Sequence, residues 1–211
     1  MMGAVDLSVG RPISDAEATS RWAAWSPVDV AERLATVRAP WCITAGWALE
    51  LFTDDAARDH SDVEIGVPAH RFGEISPALD GYEWDVVGDG RLWPYPDHLD
   101  RHFQTWLRDD AGTYRLDVFR EPHAGDHWVY RRNSAISLPY DVMIRRTTDG
   151  VPYSTPEVVL LFKAKHCRAK DELDFGRVLP HLDQAMRARL QSWLRLVHPG
   201  HHWIGVLDAA P

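Results

Sequence analysis

The chain has only two cysteines, Cys42 and Cys167, among 211 residues, with no metal-like spacing between them. They are expected to be free thiols in a reducing compartment rather than a disulfide framework. Long apolar runs are also missing. The longest, "VVLLF" at 158–162, is far too short to span a bilayer. The opening "MMGAVDLSVGRP" has no extended apolar stretch of the kind that directs secretion, so a cytoplasmic location is the expectation. Positive charge is in deficit: 23 Lys and Arg against 31 Asp and Glu give a net charge of -8. That balance argues against a non-specific nucleic-acid binder and suits a cationic small-molecule partner. No Walker A, GxGxxG or GxSxG pattern occurs, which removes P-loop, Rossmann and α/β-hydrolase readings. Internal repeats and low-complexity tracts are absent.

What remains is an ordinary globular composition, 45% hydrophobic and 26% charged, with ten tryptophans, most of them expected in the core. Ser14 and Glu17 have capping-box spacing and predict a first helix. Ser26-Pro27 predicts a second, running to about Arg38 and stopped by Pro40. "WCIT" (41–44) reads as a buried strand, and "AGWALELF" (45–52) as a helix entered through Gly46. A strand follows over 62–67, then a helix from Pro68 to about Leu79. From Gly81 to Ile144 short aromatic and branched segments separated by Gly, Pro and Asp read as β. Thr155-Pro156-Glu157 starts a helical region covering 157–182 and 186–198. The fold class expected is α+β, a mixed sheet flanked by helices with a helical C-terminal part. The change of texture near Gly150 divides an α/β domain, 1–150, from a helical subdomain, 151–211.

The segment "RDHSDVEIGV" (58–67) carries the chemistry. Side chains alternate along a strand, so Val63, Ile65 and Val67 share one face, and Asp62, Glu64 and Gly66 the other. Two carboxylates about 7 Å apart along the backbone raise each other's pKa unless something positive lies between them. Mg²⁺ is suited to that place, since it takes one or two carboxylates and completes its shell with water and phosphate oxygens. A solvated edge strand is the plain alternative. In "YRLDVF", Asp117 is again the lone carboxylate opposite an apolar face. Gly46, in a strand-to-helix turn upstream, allows backbone N–H groups to approach a phosphate. Three carboxylates on two strands beside a glycine turn match the needs of nucleotidyl transfer. Two acids hold Mg²⁺ on the triphosphate, while the third completes the metal site or accepts the proton of the attacking hydroxyl.

These residues resemble the minimal nucleotidyltransferase signature. More narrowly they resemble the antibiotic nucleotidyltransferases of the aminoglycoside 2''-adenylyltransferase and lincosamide type. The Gly-Gly-Trp turn of that family is here Ala45-Gly46-Trp47. Its Arg-x-His is Arg58-Asp59-His60, and its Asp-x-Asp is Asp62-Val63-Glu64. "LDVFRE" resembles the strand of the third acid, and "YSTPEVVLLFKAKHCRAKDELDF" the C-terminal helical segment. Ala45 in place of glycine is tolerable if the position does not need a positive φ, and Glu64 lengthens a ligand by one methylene. The resemblance implies transfer of a nucleoside monophosphate, AMP from ATP, to a hydroxyl of a small acceptor such as an aminoglycoside or lincosamide. A protein hydroxyl, as in antitoxin-like members, and a non-catalytic binding module are the alternatives. Implied site residues are Asp62, Glu64 and Asp117 for metal and catalysis, with Gly46, Arg58, His60 and Lys165 on the nucleotide. Lys163, and the pair Asp171 and Asp174, are further candidates, each with a structural reading of equal or greater weight: a snorkelling lysine, and a carboxylate pair tied to nearby Arg or Lys. The His98/His102 and His123/His127 pairs have zinc-like spacing but lie in segments read as loop or strand, and are set aside.

Overall fold

The computed structural model describes residues 9–55 and 58–209, so the start of the N-terminal stretch read above, 1–8, lies outside the described residues. The order along the chain begins with β1 (Arg11–Pro12), α1 (Asp15–Ser20) and α2 (Pro27–Arg33). The Ser14 hydroxyl accepts the Glu17 N–H and Ser26 forms a reciprocal capping box with Asp29, so both helix starts read from the sequence are present. Helix α2 ends at Arg33, five residues before the expected stop. Then come β2 (Cys42–Ile43), α3 (Ala45–Thr53) and β3 (Glu64–Pro68). The helix expected after Pro68 is instead two short 3₁₀ segments, Ala69–Glu74 and Ser76–Leu79, the second opened by Pro77. Four longer strands follow: β4 (Glu83–Gly88), β5 (Arg91–Pro94), β6 (Gln104–Arg108) and β7 (Tyr114–Glu121). The rest comprises β8 (His123–Ala124), β9 (His127–Val129), β10 (Ser137–Pro139), α4 (Tyr140–Met143), β11 (Ile144–Arg146) and β12 (Pro152–Ser154). It ends with α5 (Pro156–Ala164), α6 (Ala169–Val178), α7 (Gln184–Val197) and α8 (Trp203–Ala209). The expected helix over 157–182 is therefore broken, at Cys167, whose φ is 44°.

The chain folds as two compact units. The first holds residues up to Trp41 together with Asp59–Pro122. Its strands run in the order β1-β5-β4-β6-β7-β3, antiparallel throughout except for the parallel pair β7 and β3. One face of this sheet is the core: Val63, Ile65, Val86, Leu107, Leu116 and Val118 are all fully buried. The alternation read from the sequence thus sets which side of the sheet forms this core, while the other side carries a smaller cluster, Val87, Leu92 and Tyr114, with Trp106 packed against it.

The second unit holds Cys42–Arg58 and His123–Pro211, so Gly150 lies inside it rather than at a boundary. Its strands are β2-β12-β11, with β2 and β12 parallel, and a small antiparallel sheet β10-β9-β8. Helix α5 is its axis, buried from Pro156 to Leu161 and packed on α3, α6 and α7. Phe175 stacks on Trp203 at 4.2 Å, joining α6 to α8. The fold is α+β, with mixed sheet, flanking helices and a helical C-terminal part, as expected. Among the described residues no helix is long and apolar enough to cross a membrane.

Candidate active site

Strand β3 starts at Glu64, two residues later than expected, although the Val63 carbonyl already accepts the Asp117 N–H at 2.9 Å. Glu64 and Asp117 are register partners across the parallel pair β3 and β7, and Trp106 of β6 is the partner of Asp117 on its other side. Register partners share a sheet face, so Glu64, Asp117 and Trp106 form a row opposite the apolar core. Asp62 and Glu64 are half-buried, whereas Asp117 is only 2% exposed. Its Oδ2 accepts a hydrogen bond from Gln104 Nε2 at 2.6 Å, and its buried Oδ1 makes no hydrogen bond of normal geometry, the Trp106 indole N–H meeting the carboxyl only weakly. Burial raises the Asp117 carboxyl well above the usual range and the neighbouring Glu64 charge adds to it, against a smaller opposing effect of the Gln104 bond. Among the described residues, no gathered group of three metal-type side chains includes Asp62, Glu64 or Asp117.

Gln104 was not singled out from the sequence. The signal was present in "FQTWLRD", where alternation puts Gln104, Trp106 and Arg108 on one face. Only the register between β6 and β7 reveals that this is the face of Asp117.

In the second unit, Gly46 is buried in the first turn of α3. The left-handed residue of this turn is not Gly46 but Ala45, at φ 52°. The condition under which alanine was tolerable is therefore not met: the position does need a positive φ. The turn carries that cost, roughly 1–2 kcal/mol for a residue with a Cβ. Thr44 makes no side-chain cap to α3; its hydroxyl is engaged with Ser154 Oγ at 3.3 Å instead. Arg58 is exposed, with its N–H on Glu50 Oε1 at 3.3 Å, and His60 is half-buried in the first unit. Lys165 is exposed at the end of α5. Lys163 is not: its Nζ lies 3.1 Å from Asp171 and 2.8 Å from Asp174, so lysine and carboxylates satisfy one another. His102 stacks on Trp93 at 4.7 Å, His98 has its ring 5.0 Å from the same indole, and His127 bonds Asp126.

No family model matches the chain, and no curated protein sequence matches it. Its structure, however, resembles several solved ones. A lincosamide antibiotic adenylyltransferase, LnuA, in its lincomycin-bound crystal structure superposes with a TM-score of 0.52 at 14% identity, over 82% of this chain and all of that one. The antibiotic-resistance factor ANT(2'')-Ia in solution gives 0.55 at 12% identity, over 88% of this chain and 95% of that one. Its crystal structure with adenylyl-2''-tobramycin gives 0.54 at 13%, over 80% and 94%. The chain has the fold of the antibiotic nucleotidyltransferases. The structural likeness agrees with the resemblance carried by the motifs from Ala45 to Phe175.

Proposed function

We propose that this protein is a divalent-metal-dependent nucleotidyltransferase that moves a nucleoside monophosphate, AMP from ATP, to a hydroxyl of a small cationic acceptor of the aminoglycoside or lincosamide class. The observation that carries the proposal is Asp117, a buried carboxylate beside Glu64 with one oxygen lacking a full hydrogen bond. A strand face that needed only packing would have no use for it.

The donor set fits Mg²⁺: carboxylate oxygens suit a hard cation, and the buried Oδ1 of Asp117 makes no full hydrogen bond. Asp62, Glu64 and Asp117 would hold it. Bound there, such an ion would neutralise triphosphate charge and favour the ionised form of Asp117. Gln104 holds the Asp117 carboxylate in one orientation. In the transfer itself the acceptor oxygen bonds to the α-phosphorus, the bond from that phosphorus to the β-phosphate bridge breaks, and pyrophosphate leaves. Asp117 accepts the hydroxyl proton, or serves as ligand while another base does so. Gly46, Arg58, His60 and Lys165 are assigned to the nucleotide, the first through backbone N–H groups at the uncapped start of α3. The net charge of -8 favours a cationic acceptor.

The test is mass spectrometry of reactions containing Mg²⁺, each of the four NTPs and a panel of hydroxylated aminoglycosides and lincosamides. A product heavier by one nucleoside monophosphate, with pyrophosphate released, is the expected result. Nucleotide binding without any product across the panel and without self-modification would favour a binding module.

A further inference from the structure

Helix α5 does not run into α6 because Cys167 adopts a left-handed φ of 44° between them. Nothing in the sequence demands a break there, since "KAKHCRAKDEL" has neither Gly nor Pro. The break brings Cys167 Sγ to 2.7 Å from Oε1 of Glu172 on α6. The same oxygen lies 2.9 Å from His202 Nε2, and Glu172 Oε2 accepts the Trp203 indole N–H at 3.0 Å. His201 and His202 immediately precede α8, their rings stacked 4.8 Å apart and 17° from parallel. One ligand atom from each of Cys167, His201 and His202 lies within 4.8 Å of the other two. His201 Nδ1 accepts the Trp203 backbone N–H at 3.2 Å, while its buried Nε2 makes no hydrogen bond of normal geometry and is met only weakly by the Ala164 carbonyl. Three soft and borderline donors gathered this closely, one of them a buried nitrogen with no full hydrogen bond, suit a metal ion.

We propose that Cys167, His201, His202 and Glu172 form a zinc-class divalent metal site, separate from the carboxylate face of β3 and β7. The donor set is one sulfur, two imidazoles and one carboxylate, which suits Zn²⁺ rather than Mg²⁺. Thiolate and carboxylate together cancel its charge. Zinc with bonds of about 2.0–2.3 Å holds tetrahedral ligands roughly 3.3–3.8 Å apart, so closing the group needs side-chain movement of about an ångström. On binding, the thiol proton passes to solvent. Four protein donors close the shell, so the ion is structural: it ties the break after α5 to the entry of α8, positions 167 and 201 in a sequence with no disulfide.

The full-length chain, stripped with chelator, is titrated with Co²⁺ and then Zn²⁺. The expected result is one equivalent of Co²⁺ giving a near-ultraviolet thiolate charge-transfer band and tetrahedral visible bands, bleached by one equivalent of Zn²⁺. Cys167→Ser should lose the charge-transfer band, and Cys42→Ser should keep it. His202→Gln, at an exposed position, should weaken Zn²⁺ binding at least tenfold with an unchanged circular dichroism spectrum. The charge-transfer band needs a cysteine, so Co²⁺ on the carboxylate face cannot produce it and the two sites fail or succeed independently. Absence of that band, its survival in Cys167→Ser, or unaltered affinity in His202→Gln would overturn the proposal.

Discussion

Asp117 and Glu64 stand opposite one another on neighbouring parallel strands, and only Asp117 of the two is fully buried. Its carboxyl is raised well above the ordinary range, first by burial and then by the Glu64 charge. A folded-state pKa above the unfolded one means that the folded chain holds a proton which the unfolded chain has already lost. Stability from this group therefore falls as pH climbs from the usual aspartate range through the raised value, by up to about 1.4 kcal/mol per pH unit. Asp117→Asn removes the titration while keeping the shape and an oxygen for Gln104. In chelator-treated urea unfolding, the variant should match the wild type near pH 4 and exceed it at pH 8. A variant that falls further behind the wild type as pH rises would show that the ionised form is the one the fold prefers, and a difference that does not change with pH would show a carboxyl that titrates alike in both states. The same substitution should abolish transfer.

The half-buried acids give a separate prediction. Asp62→Asn and Glu64→Gln are near-isosteric, so both variants should fold and melt close to the wild type without ligand. A ligand at a hundredfold excess over its Kd stabilises by about 2.7 kcal/mol, a shift of several degrees for a chain of this size. Thermal melts with ATP should show that shift in the wild type only when Mg²⁺ is present, and most of it should vanish in either variant. Equal protection of all three proteins would place the metal elsewhere.

Much of this site was legible because a two-residue period is a strong signal. Val63, Ile65 and Val67 against Glu64, and Leu116 and Val118 against Asp117, separate the apolar face of the sheet from the acidic one by alternation alone. What was not legible depends on tertiary register or on single backbone angles. Gln104 meets Asp117 only because β6 and β7 pair as they do. Strands β1 and β5, two and four residues long, carry too little pattern to stand out from loops. The break at Cys167 opposes local helix propensity, which pointed to one continuous helix. The 3₁₀ segments after Pro68 share the helical period closely enough to be mistaken for α.

Ala45 tests the turn before α3. A left-handed residue with a Cβ costs roughly 1–2 kcal/mol, part of which glycine gives back through its freer unfolded chain. Ala45→Gly should therefore stabilise by about 0.5–1 kcal/mol, seen as a rise of a few degrees in Tm. Ala45→Val, branched at Cβ, should do the opposite. A loss of stability in Ala45→Gly would mean that the positive φ is not a strain the alanine bears.

Lys163 and Lys165, two residues apart, should separate cleanly into structure and function. Lys163 Nζ sits between the buried carboxylates of Asp171 and Asp174. Burial by itself would raise Asp171, yet the bonds from Arg168 and Lys163 outweigh it and bring the carboxyl down to about 2. A depressed acid contributes stability that is present above its unfolded value near 3.8 and is lost as pH falls toward about 2. Lys163→Ala strands two buried charges and should cost about 3 kcal/mol at neutral pH, less than the full loss of an isolated pair because Arg168 still holds Asp171. The gap between wild type and variant should narrow between pH 4 and pH 2, as protonation removes the charge that lysine was there to meet. Lys165 is exposed, so Lys165→Ala should leave unfolding unchanged within about 0.5 kcal/mol. If Lys165 serves the triphosphate, that variant should still lose ATP affinity, measured by calorimetry with Mg²⁺. Unchanged affinity there would remove Lys165 from the nucleotide site and leave the assignment to Gly46, Arg58 and His60.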